Sequence, residues 1–378
     1  MKIKNLLKKI MIILSIVLVA LALVVFLFLQ QTSFGKAPSG ARLARIQKSP
    51  QYRDGTFQNQ SPTPTFTGGA SFLTVMKDFL FTKHEGKTPD YTLPSIRRDL
   101  KIKPSLKPEI TWFGHSSYLI QVNGLNILVD PVFSGRTSPV NYAGTKAFDG
   151  ADVYKAVDMP KIDVLVITHN HYDHLDFETI KKLKDQVGVF VTSLGVGADL
   201  EYWGVPASKI KELDWWETAD VNADTRITAA PARHFSGRGL VRNKTLWSSF
   251  VFETNGCKIY LGGDSGYDKH FSLIGEKYGP FDLAVLEDGQ YNVSWSNIHM
   301  MPEETAQVAI ELKAKVLLPV HWGKFALATH RWDEPISRVL TKAKELNLKV
   351  VTPMIGEQVI LDSILPESHW WVKSKSAL

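Results

Sequence analysis

Residues 10–29 read IMIILSIVLVALALVVFLFL, twenty positions without a charge and with one polar side chain, Ser15. As a helix rising 1.5 Å per residue, such a run spans roughly 30 Å, the thickness of a bilayer's hydrocarbon core. A signal peptide is the rival reading, but its apolar core is usually about 7–15 residues long and ends at a small-x-small site. Here the run gives way to Gln30-Gln31-Thr32. Residues 1–30 therefore read as one uncleaved transmembrane helix. Lys2, Lys4, Lys8 and Lys9 before it place the N-terminus in the cytoplasm and the bulk of the chain on the extracytoplasmic side. The polar, Pro- and Gly-rich stretches QQTSFGKAPSG and QNQSPTPTFTGG make residues 31–108 a tether and N-terminal extension with little regular structure. One short amphipathic helix is expected over residues 70–83, and residues 84–108 read as irregular and basic.

From Glu109 the pattern changes. EITWFGHSSYLIQV and LNILVDP flank Asn123-Gly124, the dipeptide that tolerates positive φ at both turn positions, and so predict a hairpin. DVLVITH, TRITAAPARH, CKIYLGGD and AKVLLPVH are further short apolar runs, each ending on His or Asp. Helical segments are expected over 177–184, 195–203, 302–313 and 334–346. Alternating strands and helices imply a layered α/β domain, taken as one catalytic domain over 109–378.

Charge changes the picture only at the N-terminus. The chain carries +6, but residues 1–48 hold eight basic and no acidic residues, which leaves residues 49–378 at −2. That balance gives no bulk footprint for nucleic acid. A single cysteine, Cys257, excludes an intramolecular disulfide framework and any multi-cysteine metal site.

The sharpest chemistry is Thr168-His169-Asn170-His171-Tyr172-Asp173-His174-Leu175, three imidazoles and a carboxylate within six residues after an apolar strand. Imidazole and carboxylate suit zinc, iron or manganese. His234, Asp264 and His321 each follow or end a later apolar run, with small residues beside them.

On these residues the chain resembles the metallo-β-lactamase superfamily, closest to its N-acylphosphatidylethanolamine-hydrolysing phospholipase D branch and bacterial relatives. The likeness runs over about 109–362 and is carried by Trp112-Phe113-Gly114-His115-Ser116-Ser117, THNHYDHLD, Pro231-Ala232-Arg233-His234, Gly263-Asp264-Ser265-Gly266-Tyr267, Gly279-Pro280-Phe281-Asp282 and the stretch from His321 to Leu327. It implies a four-layer αββα sandwich with two zinc ions or other divalent metals. His169, His171 and His234 would hold one ion, Asp173, His174 and His321 the second, and Asp264 would bridge them. It also places His115 and His299 near the mouth, to orient substrate, protonate a leaving group or support a ligand through hydrogen bonds. Asp173 and Asp264 would join them in the catalytic set. The implied activity is hydrolysis by a metal-activated water, most simply of a lipid phosphodiester.

The likeness fails at one point: Leu286-Glu287-Asp288-Gly289-Gln290-Tyr291 replaces an apolar loop. An acidic pair facing the pocket would repel an anionic phosphodiester and leans toward a lactone or other carboxylic ester. A non-catalytic metal-binding membrane scaffold is the rival of a different class. Seven ligand types argue against it, because a structural site needs four and leaves no open position. Trp215-Trp216 and Trp370-Trp371 read as core packing rather than lipid-facing rings.

Overall fold

The computed structural model describes residues 2–102 and 107–373. Two seven-stranded mixed sheets carry the fold. The first is built from β1 (Glu109–Trp112), β2 (Tyr118–Val122), β3 (Leu125–Val129), β4 (Ile162–Ile167), β5 (Val187–Ser193), β6 (Ile210–Leu213) and, from the C-terminal end, Gln358–Ile360. The second contains β7 (Thr218–Asn222), β8 (Thr225–Ala230), β9 (Ser249–Thr254), β10 (Cys257–Leu261), β11 (Leu283–Glu287), β12 (Val316–Val320) and β13 (Lys349–Val350). With Gln358–Ile360 as β14, the spatial orders are β6-β5-β4-β3-β2-β1-β14 and β7 through β13 in sequence. The helices are α1 (Lys2–Leu29), α2 (Gly40–Ile46), α3 (Phe72–Phe81), α4 (Phe177–Leu183), α5 (Gly197–Tyr202), α6 (His270–Tyr278), α7 (Pro302–Glu311) and α8 (Glu334–Glu345).

The apolar strands read as unbroken runs because both of their faces are buried. Successive side chains point to opposite faces. Ile120, Ile127, Val129, Val164 and Val166 face the inter-sheet core, together with Ile227, Phe250, Phe252 and Ile259 of the second sheet. Their neighbours Leu119, Leu128, Leu165 and Ile167 turn outward against Ile180, Leu183 and Leu200 of α4 and α5. Helices α6, α7 and α8 cover the second sheet through Ile274, Val308 and Val339. The order is helix, sheet, sheet, helix. Each fully buried aliphatic side chain contributes roughly 1.5–3 kcal/mol.

Three features differ from the sequence expectation. EITWFGHSSYLIQV is two antiparallel strands, not one, because Gly114 and His115 take φ of 81° and 52° and turn the chain back. Strands β5, β6, β7, β9, β11, β13 and β14 and helices α2 and α6 went unpredicted. Most lack the terminal His or Asp that marked the others, and propensity alone is a weak guide to buried strands. The third difference is the tether. Its first half lies against the catalytic domain, with Ile46 and Phe57 buried beside Trp215 and Trp247. Arg42 pairs with Glu212 at 2.7 Å and Trp203 Nε1 donates to the Thr32 carbonyl at 2.7 Å. Of the stretch 84–108, residues 103–106 lie outside the described residues, as do 374–378. Trp215 and Trp371 are buried, and Trp370 stacks on Trp322 at 5.2 Å, so the tryptophan pairs pack inward.

Candidate metal centre

The site forms where the strands end. β4 delivers the segment 168–175, β8 leads to His234, β10 to Asp264, and β12 to His321. His115 comes from the turn between β1 and β2. His321 takes a φ of 69° and its amide donates to the His115 carbonyl at 2.9 Å, while the His115 amide donates to the Trp322 carbonyl at 2.9 Å. This reciprocal pair ties the first sheet to the second at the site. Gly263, with a φ of +61°, lets the backbone pass Thr168 where a Cβ would come within 2.9 Å of that side chain.

All seven residues read as ligand types are brought together in two groups that share Asp264. In the first, His169 Nε2 and His234 Nε2 lie 2.9 and 3.2 Å from His171 Nδ1, and both are 3.8 Å from Asp264 Oδ2. In the second, His174 Nε2 lies 3.1 Å from Asp264 Oδ2 and 3.6 Å from Asp173 Oδ2, and His321 Nδ1 is 3.3 Å from Asp264 Oδ1. The ligand atoms of His169, His171, His234 and Asp264 lie within 4.8 Å of one another, as do those of Asp173, His174, His321 and His115, and those of Asp264, His321, Glu287 and His299.

These residues fit a pair of cations. Among the described residues, buried His174 Nε2 and Asp264 Oδ1 have no hydrogen-bond partner, a costly state unless another group satisfies them. Burial pushes His169, His234 and His321 well down and His171 to about 3, so these imidazoles are neutral and offer lone pairs. Burial pushes Asp264 up to about 6. Burial opposes a charge on His174 as well, yet Asp264, Asp173 and Asp130 hold it well above the ordinary histidine range. Three carboxylates around one imidazole demand positive charge, which a divalent ion supplies.

The surrounding hydrogen bonds set the tautomers. His174 Nδ1–H donates to Asp130 Oδ2 at 2.7 Å, which leaves Nε2 for the site. Asp130 is fixed by the Thr168 amide at 2.9 Å and the Thr168 hydroxyl at 2.6 Å. His234 Nδ1–H donates to the Ile298 carbonyl at 2.8 Å, and Ser116 Oγ meets His321 Nδ1 at 2.8 Å. Sequence reasoning passed over Asp130, although it too ends an apolar strand.

His115 and His299 separate. His115 is fully buried behind Asp173, with Nε2 at 2.9 Å from Asp173 Oδ2. That position is too deep to meet substrate at the mouth. His299 is half-buried at the rim, its ring 5.0 Å from His234 and 5.4 Å from His321. Its Nδ1 lies 2.6 Å from Glu287 Oε2, while Glu287 Oε1 accepts from the Ser265 amide at 2.8 Å and the Met300 amide at 3.3 Å. The two acids part: the Glu287 carboxylate lies within 4.8 Å of the ligand atoms of Asp264, His299 and His321, whereas Asp288 is buried near Glu303 and Arg338. Glu287 is 1% exposed and Asp288 0%, and burial holds both carboxyls well above the usual range.

Arg238 joins the metal segment to the chain leaving α1. It donates through Nη1 to the Asn170 and Leu175 carbonyls at 3.0 and 2.7 Å and through Nη2 to the Ser33 carbonyl at 2.8 Å. Its guanidinium stacks 4.2 Å from the centre of the Tyr172 ring, which Phe34 meets edge-on at 6.2 Å.

The fold and site define a metal-dependent hydrolase class. A family profile described as a beta-lactamase superfamily domain matches residues 125–322, and the chain belongs to the metallo-β-lactamase superfamily of metal-dependent hydrolases. An uncharacterised protein of Mycobacterium tuberculosis is 40% identical over 343 residues, covering 89% of this chain and 92% of that protein. The N-acyl-phosphatidylethanolamine-hydrolyzing phospholipase D 1 of Caenorhabditis elegans is 34% identical over 232 residues, 58% of this chain and 65% of its own. Among solved structures, the metallo hydrolase Igni18 of Ignicoccus hospitalis superposes with a TM-score of 0.51 at 23% identity, over 67% of this chain and 97% of its own, and shares the fold.

Proposed function

We propose that this chain is a membrane-anchored, two-zinc hydrolase of phospholipase D type, cutting a headgroup phosphodiester in N-acylphosphatidylethanolamine-like lipids. The observation that carries the reading is the Arg238 bridge. It supports a site held at the foot of α1, which is long and apolar enough to cross a membrane. Ser33 follows the end of α1 by four residues, at most roughly 14 Å of chain. A lipid headgroup is the substrate such a site meets first. The 34% identical phospholipase D relative supports the same class.

In this reading His169, His171 and His234 would hold one ion, Asp173, His174 and His321 the other, and Asp264 would serve both. When bound, the two ions supply a water deprotonated near neutral pH and polarise the phosphoryl oxygen. Asp130 and the Ile298 carbonyl keep His174 and His234 in the tautomers that free Nε2. His115 orients Asp173 from behind. As the water oxygen bonds to phosphorus, the phosphorus–oxygen bond to the alcohol breaks. His299, held at Nδ1 by Glu287, delivers a proton to the departing oxygen.

The test is turnover by the full-length protein in mixed micelles, with N-acylphosphatidylethanolamine, a lactone and bis-p-nitrophenyl phosphate compared side by side. Release of phosphatidic acid and N-acylethanolamine is expected. Hydrolysis of the lactone with no phosphodiester cleavage would overturn the substrate class. Inactivity on all three, with metal bound, would favour the scaffold reading.

A further inference from the structure

Helix α3 is a well-formed element of the N-terminal extension that hides none of its residues. Ser71 Oγ accepts from the Thr74 amide at 3.2 Å and Thr74 Oγ1 accepts from the Ser71 amide at 2.7 Å, a capping box that fixes its start. At 3.6 residues per turn, Phe72, Leu73, Met76 and Leu80 fall within an arc of about 100°. All four are exposed, Leu73 by 76% and Leu80 by 66%, and Phe81 at the end of the helix by 80%. The contact with the domain borders this arc: Phe79, about 20° round the helix from Phe72, stacks on Trp295 at 6.1 Å.

Trp295 belongs to the loop that ends in His299, so α3 rides on one rim of the site. Ahead of the helix, the Thr67 amide donates to the Ser294 carbonyl at 2.8 Å and clamps the same loop. The other rim, next to the exit of α1, carries exposed Leu240 and Val241, and the α3 rim adds exposed Val293. Exposed apolar side chains thus stand on both rims of one mouth. Four partly exposed side chains on α3 offer about half of the roughly 800 Å² that a stable protein interface takes from each partner. A helix with one apolar face of this size matches an element lying in the plane of a bilayer interface.

We propose that the outer face of α3 is a second membrane contact, lying in the interfacial layer of the bilayer that α1 crosses, so that lipid meets the site from both rims. The proposal rests on the anchor reading above and is independent of which bond is cut.

The experiment uses the full-length protein with Cys257→Ser, reconstituted at one copy per lipid nanodisc. Single cysteines introduced as Leu73→Cys, Leu80→Cys, Leu18→Cys or Ser337→Cys carry an environment-sensitive fluorophore. Lipids with a shallow spin label should cut emission from positions 73 and 80 by about half or more, as expected for a helix seated roughly 5–10 Å into the interface. Position 337, on exposed α8, should stay unquenched and open to iodide. Positions 73 and 80 open to iodide and unaffected by the spin label would overturn the proposal. Shielding from both quenchers would overturn it too, since protein would then cover α3. Absence of quenching at position 18 by lipids carrying a spin label deep in the acyl chain would instead sink the anchor reading, so the two failures are told apart.

Discussion

Asp264 answers to both histidine groups, and its carboxylate is the only one among the seven residues that does so. Replacing it by Asn removes the charge that would hold two cations together in the proposed centre. Asp264→Asn is expected to lower turnover by more than about a hundredfold, beyond the usual cost of losing an outer hydrogen-bond partner, and to lower bound metal per chain. Near wild-type activity with full metal content would end the assignment. Glu287 predicts something different. Because it faces His299 and two backbone amides, Glu287→Leu should cost about 10–100-fold in kcat with metal content unchanged, while Glu287→Gln, which keeps an acceptor for Nδ1–H, should recover part of the loss. The ratio of phosphodiester to lactone turnover should not move in either variant. A shift in that ratio with Gln would restore the charge-repulsion idea. The seven ligand types were legible because each stands at or beside the end of an apolar run. The separate surroundings of Glu287 and Asp288 were not, because one residue of strand phase decides which way a side chain points, and that phase is set by the register of β11 against β12.

At the level of elements, the hairpin at Asn123-Gly124 and helices α4, α5, α7 and α8 were readable from local pattern. The docking of residues 32–58 was not. Several of its contacts are backbone groups meeting Arg238, Asp199 and Trp203, and a carbonyl leaves no mark on a sequence. The consequence is a sharp boundary for truncation. Removing residues 1–30 keeps Thr32, Ser33 and Lys36, and the shortened protein is expected to be folded and active on small chromogenic phosphodiesters. Removing residues 1–38 leaves the buried Arg238 without the Ser33 carbonyl and Asp199 without the Lys36 amide. At about 1–3 kcal/mol for each buried group left unpaired, the second truncation should lower Tm by several degrees relative to the first. Equal Tm values and equal activities would mean that the docked segment holds nothing in place.

At the scale of the molecule, acid should act through a histidine outside the metal groups. His270, buried at the start of α6 and 3.2 Å from Ser265 Oγ, is pushed down by burial to about 3. The unfolded chain takes up that proton near pH 6.5. Between these values the unfolded state binds more protons, so stability is full above about 6.5 and falls as pH drops toward 3, by roughly 2 kcal/mol at pH 5 from this residue. His270→Gln should flatten the pH dependence of the urea midpoint by about one proton; an unchanged slope would assign the acid sensitivity elsewhere. The reciprocal backbone bonds between His115 and the His321–Trp322 segment have a consequence of another kind. They fasten the floor of the site to both sheets without spending a side chain, so the spacing of the ligand groups is a property of the scaffold. The loops at 235–242 and 291–297 that border the mouth carry none of the seven residues. In evolutionary terms, such a molecule can rewrite what it admits, one rim substitution at a time, while the cradle beneath stays out of reach of those changes.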